Sequence, residues 1–362
     1  MVKNEEDIIE CFCRYTLGFC DKLLIVEDNS DDETPKILAC LIEEGLPIVI
    51  IRKEFVPGFK KFDTINDLAL QAFEHYGADL VVPLDADEFI TTDTNEFVRD
   101  ILCNLPVDKI HRFHWRTYVY TEDAAKRDGL IFDRFEKYRP AELEKLLKVV
   151  VSRELFVEDG YRITVGQHNI GPSDNSPERE YIVSDKLLYA HFPIRSLGQI
   201  NTKIIIGWLN YQCMPKEGQK SRHWPVMYAA IKEHEGLSNK EAEIFSVFYS
   251  YRGEKNEIND NNFHEKLLSK HIDLKPAIAY EELGQKYTPE RNNNIIKIGL
   301  VLSHIEKMIK GFEKEKNDMK NWLESEKQKE IDSIVNNMEA SKSWKIGRLV
   351  TFPVRVLKRL KK

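Results

Sequence analysis

The sequence predicts an α/β fold in which helices cover both faces of a parallel sheet. Three observations support this prediction. Helical and extended patterns alternate three times in the first 90 residues, acidic turns directly follow two of the extended segments, and the 362-residue chain is 42% hydrophobic. Such alternation is typical of doubly wound sheets. The composition supplies a core for one large domain with appendages, or for two domains.

The repeating elements follow one another without long interruptions. Between residues 5 and 19, apolar side chains recur at spacings of three and four, which is the helical period. The polar turn after Glu27 leads into Pro35, a residue favoured in the first turn of a helix. We predict helices over 5–19, 35–41 and 63–76, and strands over 22–26, 46–53 and 78–84. Because such sheets bind ligands at the carboxyl ends of their strands, the acidic clusters 27–33 and 85–88 stand where a ligand would bind.

The remainder of the chain divides into further parts. Extended, aromatic-rich patterns dominate 108–195, and mostly helical patterns follow. Residues 295–340 predict one long charged helix, in which Ile305, Phe312 and Met319 recur every seven residues. The predicted organisation is an α/β domain, a helical extension, a long helix and a basic tail, over 1–225, 226–294, 295–340 and 341–362.

The last two segments predict contacts with partners. The partial heptad favours self-association through 295–340, and packing of a single helix on its own domain is the equally weighted alternative. Residues 341–362 contain eight basic residues and no acid. Apolar side chains alternate with them, which favours a segment lying in an anionic membrane surface over a disordered basic tail or a helix packed on the acidic domain. Release from anionic vesicles at high salt would be the signature of that attachment.

Composition and charge exclude several classes of protein. The net charge is −7, and the basic tail makes the rest of the chain still more acidic, so nucleic acid is not an expected partner. No uncharged apolar run approaches the ~20 residues of a membrane span. Residues 1–10 lack the basic start of a signal peptide, and the six cysteines lack paired metal-site spacing. We therefore expect free thiols and a cytoplasmic location, at the inner face of the membrane.

The sharpest feature is VVPLDADEF at 81–89, in which Asp85 and Asp87 follow a buried strand. Two carboxylates at this spacing can bind a hard divalent cation, which would also bridge the phosphates of a nucleotide. A solvated acidic turn explains this triplet alone equally well. Two additions favour the nucleotide site. The polar turn at 27–34 can bind a base and a ribose, and His191, which ends a late strand, is a candidate metal ligand.

Taken in order, these motifs resemble those of glycosyltransferase family 2. The resemblance rests on MVKNEEDIIE, VEDNSDDET, LDADEF and HFPIRS, and it covers about residues 1–225. It implies the GT-A fold, a Rossmann-like mixed sheet with helices on both faces, and a nucleotide-sugar donor for which UDP is the expected nucleotide. It also implies Mn²⁺ or Mg²⁺ as cofactor. The implied metal ligands are Asp85, Asp87 and His191, with Asp28 near the base.

The sequence departs from the family's pattern in two places. Glu27 stands where the turn begins with an aspartate, and Asn29 and Glu33 replace glycines. The family's first strand normally precedes the Val-Lys-Asn-Glu motif, and this sequence begins at that motif.

The resemblance implies transfer of a sugar, with inversion at the anomeric carbon, to a saccharide or a lipid-linked saccharide. The departing diphosphate needs positive charge. Lys60 and Lys61 are candidate cations, with a solvated basic turn as the alternative. Inversion also needs a base for the acceptor hydroxyl, and Asp133, Glu136 and His168 are the candidates.

Two other classes of protein stay open. A strand followed by Asp-x-Asp also opens the haloacid-dehalogenase-type phosphatases, in which the first Asp is a nucleophile. There the motif lies on the first strand and favours Thr or Val in its fourth following position. Here it follows the third predicted strand, and Phe89 stands in that position. The other class is a non-enzymatic, membrane-associated scaffold derived from a transferase, which would be expected to lose the acidic pair.

Overall fold

The computed structural model describes residues 1–52, 61–139, 146–173, 175–213, 223–234, 236–249, 275–276, 286–287 and 298–340. The chain forms two compact units, Met1–Glu306 and Lys307–Lys362. The basic tail predicted over 341–362 lies outside the described residues.

Helices alternate with strands in the first part of the chain and dominate among the described residues after 197. They are α1 (Ile9–Thr16), α2 (Thr34–Glu43), α3 (Lys61–His75), α4 (Val98–Cys103), α5 (Glu122–Lys126), α6 (Ile131–Arg134), α7 (Leu197–Cys213), α8 (His223–His234), α9 (Asn239–Phe248) and α10 (Ile298–Ala340). The first helix is shorter than predicted. Gly18 follows it in a turn, where the Phe19 amide donates to the Thr16 carbonyl at 3.1 Å.

Most strands lie in the regions that the sequence predicts to be extended, but a two-residue strand also occurs in 226–294, which was predicted to be helical. The strands are β1 (Leu23–Glu27), β2 (Ile48–Arg52), β3 (Leu80–Val81), β4 (Glu88–Thr91), β5 (Ile110–Thr117), β6 (Lys137–Tyr138), β7 (Leu147–Ser152), β8 (Arg162–Ile163), β9 (Ile170–Gly171), β10 (Tyr181–His191) and β11 (Lys275–Pro276). The largest sheet has the order β3-β7-β5-β10-β4. In it β10 runs parallel to β5, and the other neighbours are antiparallel.

Helices cover both faces of this mixed sheet. Along β7, alternate side chains point to opposite faces. Val149 and Val151 pack in one cluster with Phe73 of α3, whereas Val150 packs in another with Ile101 of α4. The predicted α/β fold, with a mixed sheet between helical layers, is confirmed.

One detail of the prediction was wrong, because the first three strands do not form one parallel sheet. Strands β1 and β2 pair in parallel, but β3 pairs antiparallel with β7 in the larger sheet. A cavity of about 650 Å³ lies between β1, α3 and β3, with largely apolar lining. The third strand is also shorter than predicted, ending before Pro83, since proline cannot donate to a strand ladder.

The chain start lies beside β1 and carries the residues that connect the site. Val2 bridges Glu27 in parallel, with its amide donating to the Val26 carbonyl at 2.8 Å. The following residues 3–7 run past the turn that ends β1, and α1 then packs in the largest core cluster. This path places Glu5 and Asp7 between two segments that are far apart in sequence.

Helix α10 is the predicted long charged helix. It extends over 43 residues, and several large apolar side chains along it are exposed. They are Ile309, Phe312, Met319, Trp322, Leu323 and Ile334. Among the described helices, none is long and apolar enough to cross a membrane.

Candidate active site

A tight turn after β3 holds the two predicted aspartates. The Glu88 amide donates to the Asp85 carbonyl at 3.0 Å, and the Phe192 amide donates to the Asp87 carbonyl at 2.8 Å. Because β4 pairs antiparallel with β10, His191 stands opposite Glu88 in the ladder. The His191 Nε2 atom therefore lies 4.0 Å from Asp87 Oδ2, so the structure brings these two predicted residues together.

Asp87 is surrounded by positive charge that the sequence did not reveal. Its Oδ2 atom lies 3.1 Å from Lys203 Nζ and 3.8 Å from a guanidinium nitrogen of Arg195. Burial acts to raise the pKa of the Asp87 carboxyl, but the nearby nitrogen groups outweigh burial and lower this pKa to about 2. Asp87 is therefore a carboxylate at any ordinary pH.

Asp85 and Glu88 share a second cation, Lys148 of β7. The Lys148 ammonium lies 2.8 Å from Glu88 Oε1 and 3.5 Å from Asp85 Oδ2, and it also donates to Gln167 Oε1 at 2.9 Å. The side chains of Lys148 and Glu88 are each only 1% exposed. Burial raises the pKa of Glu88 to about 7, although Lys148 opposes it. Among Asp85, Glu88 and Lys148, the Asp85 side chain is the most exposed, at 26%.

Arg195 is fully buried and connects Asp87 to the chain start. Its guanidinium donates to both carboxylate oxygens of Asp7 at 2.9 Å, and it also binds Glu5. Burial raises the pKa of Glu5 to about 7, against the opposing charges of Arg195 and Lys203. Buried charges need partners, and Asp7, Glu5 and Asp87 are the acidic partners of the buried Arg195 guanidinium.

An aromatic side chain links the two candidate histidines. Trp115 of β5 stacks on His191 with ring centroids 4.6 Å apart, and His168 meets the Trp115 ring edge-on at 5.2 Å. The Thr117 hydroxyl lies 3.4 Å from His191 Nδ1. The Lys148 ammonium also lies over the Trp115 ring, 5.2 Å from its centroid.

The turn that follows β1 is fixed by the chain start. Asn29 has φ of 52° and Asn4 has φ of 56°, a left-handed conformation that asparagine tolerates well. Asparagine can therefore serve at position 29, where the family's pattern has glycine. The Lys3 ammonium donates to the Asp28 carbonyl at 2.7 Å. Asp28, predicted to lie near a base, thus follows the carboxyl end of β1.

The remaining predicted residues are spread more widely. Asp133 is exposed on the short helix α6, and Glu136 is exposed and ion-paired with Arg127. In the described residues, no hydrogen bond or ion pair joins either to the two aspartates. Lys61 is the first residue of α3, and Lys60 lies outside the described residues. Of the three candidate bases, His168 is the one that contacts the Trp115 ring, which in turn stacks on His191.

The predicted divalent ion can be tested against this donor set. Mn²⁺ and Mg²⁺ prefer oxygen ligands. In the part of the chain that the structure describes, no group of three or more His, Cys, Asp or Glu side chains is placed to hold a metal ion. Lysine ammoniums face both aspartates instead. As arranged, these side chains do not fit a divalent ion, and the metal site stays a prediction.

Comparison with known proteins gives distant similarities only. No protein-family model matches the chain, and no curated protein sequence matches it. One similar solved structure is S. aureus TarS 1-349 in complex with UDP, with 13% identity, coverage of 68% of this chain and 79% of that chain, and a TM-score of 0.33. Another is the mannosyltransferase PcManGT from Pyrobaculum calidifontis in complex with GDP-Man and Mn²⁺, with 16% identity, coverage of 68% and 71%, and a TM-score of 0.31. Scores this low do not relate the present site to theirs.

Proposed function

We propose that the chain is a glycosyltransferase that moves a sugar from a nucleotide-sugar donor to a saccharide or lipid-linked saccharide. One observation carries the proposal. The Glu5 amide donates to the Thr34 hydroxyl at 2.9 Å, while the Glu5 side chain binds Arg195, which contacts Asp87. The polar turn after β1 and the aspartate turn after β3 therefore form one connected site.

Each part of this site suits one part of a nucleotide-sugar. The turn at 28–34 offers carboxylate, amide and hydroxyl groups to a base and a ribose. With a donor bound at this turn, the cations beside Asp85 and Asp87 would stabilise the negative charge that develops on the departing diphosphate. UDP as the nucleotide and inversion at the anomeric carbon are proposed from the resemblance. His168 is the preferred base, since it is the candidate that contacts Trp115, the ring that stacks on His191.

The phosphatase alternative places a different demand on the same residues. Its first aspartate must attack phosphorus as a nucleophile. Asp85 would hold that role here, but the motif follows β3 rather than the first strand, and Phe89 stands where Thr or Val is favoured. The scaffold alternative requires no acidic pair after β3, and Asp85 and Asp87 are both present there.

Release of nucleoside diphosphate from a panel of nucleotide-sugars tests the proposal. We expect release from a UDP-sugar, slowly to water and faster with a saccharide acceptor. Asp85→Asn and Asp87→Asn should each reduce the rate at least 100-fold, because each removes a charge that orders the site. Asp185→Asn is the matched control, since that side chain is 96% exposed. Release of inorganic phosphate from phosphate monoesters instead would support the phosphatase.

A further inference from the structure

We infer that the Lys203 ammonium, held on Asp87, supplies the positive charge at the donor diphosphate, so that the chain binds a nucleoside diphosphate without a divalent ion. This inference rests on the proposed function. It differs from the cofactor that the sequence predicts, and it follows from which atoms surround Asp87.

The position of Lys203 is fixed by the start of α7. The Ser196 hydroxyl accepts from the Gln199 amide at 3.1 Å, which begins the helix directly after Arg195. Lys203 lies on α7, about two helical turns after Ser196. It donates to Asp87 Oδ2 at 3.1 Å and to the Pro193 carbonyl at 3.4 Å. Both acceptors belong to the segments that form the site.

Lys203 differs from the other cations of the cluster in its access to solvent. The side chains of Arg195 and Lys148 are 0% and 1% exposed, whereas that of Lys203 is 26% exposed. An ammonium has three N–H donors. Two of them face Asp87 and the Pro193 carbonyl, so a third can meet a phosphate oxygen at the exposed side.

Arg195 contributes to this arrangement but does not replace Lys203. Its guanidinium is matched by Asp7 and Glu5, so its charge is largely satisfied within the protein. The Asp87 carboxylate therefore pairs chiefly with Lys203, which is the nearer of the two cations. Burial would lower the pKa of Lys203, but the Asp87 carboxylate outweighs burial and raises it, so the lysine stays charged.

The same contacts oppose a divalent ion at Asp87. A metal bound to Oδ2 would lie within a few ångströms of the Lys203 ammonium and the Arg195 guanidinium, both of which approach that same oxygen. Two cations on one carboxylate oxygen repel each other strongly in a partly buried site. Binding the metal would require Lys203 to leave, and removing Lys203 would make the oxygen available.

Calorimetric titration of UDP and of GDP, in EDTA and in Mn²⁺, tests this inference. Wild-type protein should bind one nucleotide with the same affinity in both buffers, within about 2-fold. Lys203→Met should bind at least 10-fold more weakly in EDTA and regain affinity in Mn²⁺, because Asp87 is then free to hold the metal. Lys203→Arg keeps the charge and should retain most of the affinity. Lys186→Met changes a lysine that is 59% exposed and serves as control.

The outcomes separate this inference from the proposed function. Wild-type binding that disappears in EDTA and returns with Mn²⁺ would overturn the role of Lys203 and leave a metal-dependent transferase. Equal affinity of wild type and Lys203→Met in EDTA would also overturn it, and circular dichroism shows whether the variant is folded. If neither nucleotide binds in either buffer, the inference and the proposed function both fail.

Discussion

Charge that is buried and paired organises the site at the scale of single residues. Asp87, Glu88 and Glu5 are carboxyl groups in similar surroundings, yet their pKa values differ in direction. The pKa of Asp87 is lowered to about 2, while those of Glu88 and Glu5 are raised to about 7. The difference arises because burial acts on all three, and only at Asp87 do neighbouring cations outweigh it.

The raised pKa of Glu88 predicts how stability changes with pH. Between the ordinary glutamate pKa of 4.5 and about 7, folded Glu88 keeps a proton that the unfolded chain releases. The folded state therefore binds more protons, and stability falls as pH rises through this window. Glu88→Gln has no carboxyl proton to release, so it should lose less stability than wild type between pH 5 and pH 8.

Urea unfolding of both proteins at pH 5 and pH 8 measures this difference. Glu324→Gln, an exposed residue of α10, should follow the wild type. Identical pH dependence in Glu88→Gln and wild type would mean that Glu88 titrates normally. Below pH 4 the sign reverses for Asp87, whose lowered pKa stabilises the fold above 3.8 and whose contribution is lost as pH falls toward 2.

The sequence predicted the residues whose role depends on local pattern. Asp85, Asp87 and His191 were predicted as site residues because each follows or ends a strand, and their place in a site stays a prediction. Their partners were missed, because Arg195 meets Asp7 across 188 residues and Lys203 meets Asp87 across 116. Lys203 sits on a helix whose apolar pattern gave no sign of the site.

At the scale of elements, periodicity located the helices and strands but not their pairing. Strand β1 lies within one residue of its predicted position. The ladder between β5 and β10 joins residues about 70 positions apart, and no local pattern encodes such a pairing. The same limit explains why β3 was expected in one parallel sheet with β1 and β2, whereas it pairs antiparallel with β7.

Helix α10 carries the prediction of self-association. Phe312 and Met319 of the partial heptad are 42% and 58% exposed. Exposed apolar side chains at this spacing favour packing against a second helix. The double variant Phe312→Glu/Met319→Glu should sediment as a smaller species than wild type at the same concentration. Asn317→Glu, on the same helix, is the control. Equal sedimentation of all three proteins would favour a helix that acts alone.

At the scale of the whole molecule, one unit covers both the sheet and the helices that follow it. Ser246 of α9 accepts from the Tyr120 amide at 3.0 Å, and Arg139 donates to the Tyr249 carbonyl at 2.6 Å. Tyr249 in turn faces His191, with ring centroids 5.8 Å apart. Residues beyond 225 therefore reach the site. The boundary at 225, the membrane attachment of 341–362 and the lipid-linked acceptor stay predictions.

The most direct measurement of the central claim locates bound nucleotide by hydrogen–deuterium exchange of the full chain. With saturating UDP or GDP, we expect slower exchange in peptides that contain 27–34, 83–90 and 191–203. These segments are joined through Glu5 and Arg195, so protection should appear in all three together. Protection confined to other segments, or no protection despite measured binding, would contradict the account of a single donor site built on these turns.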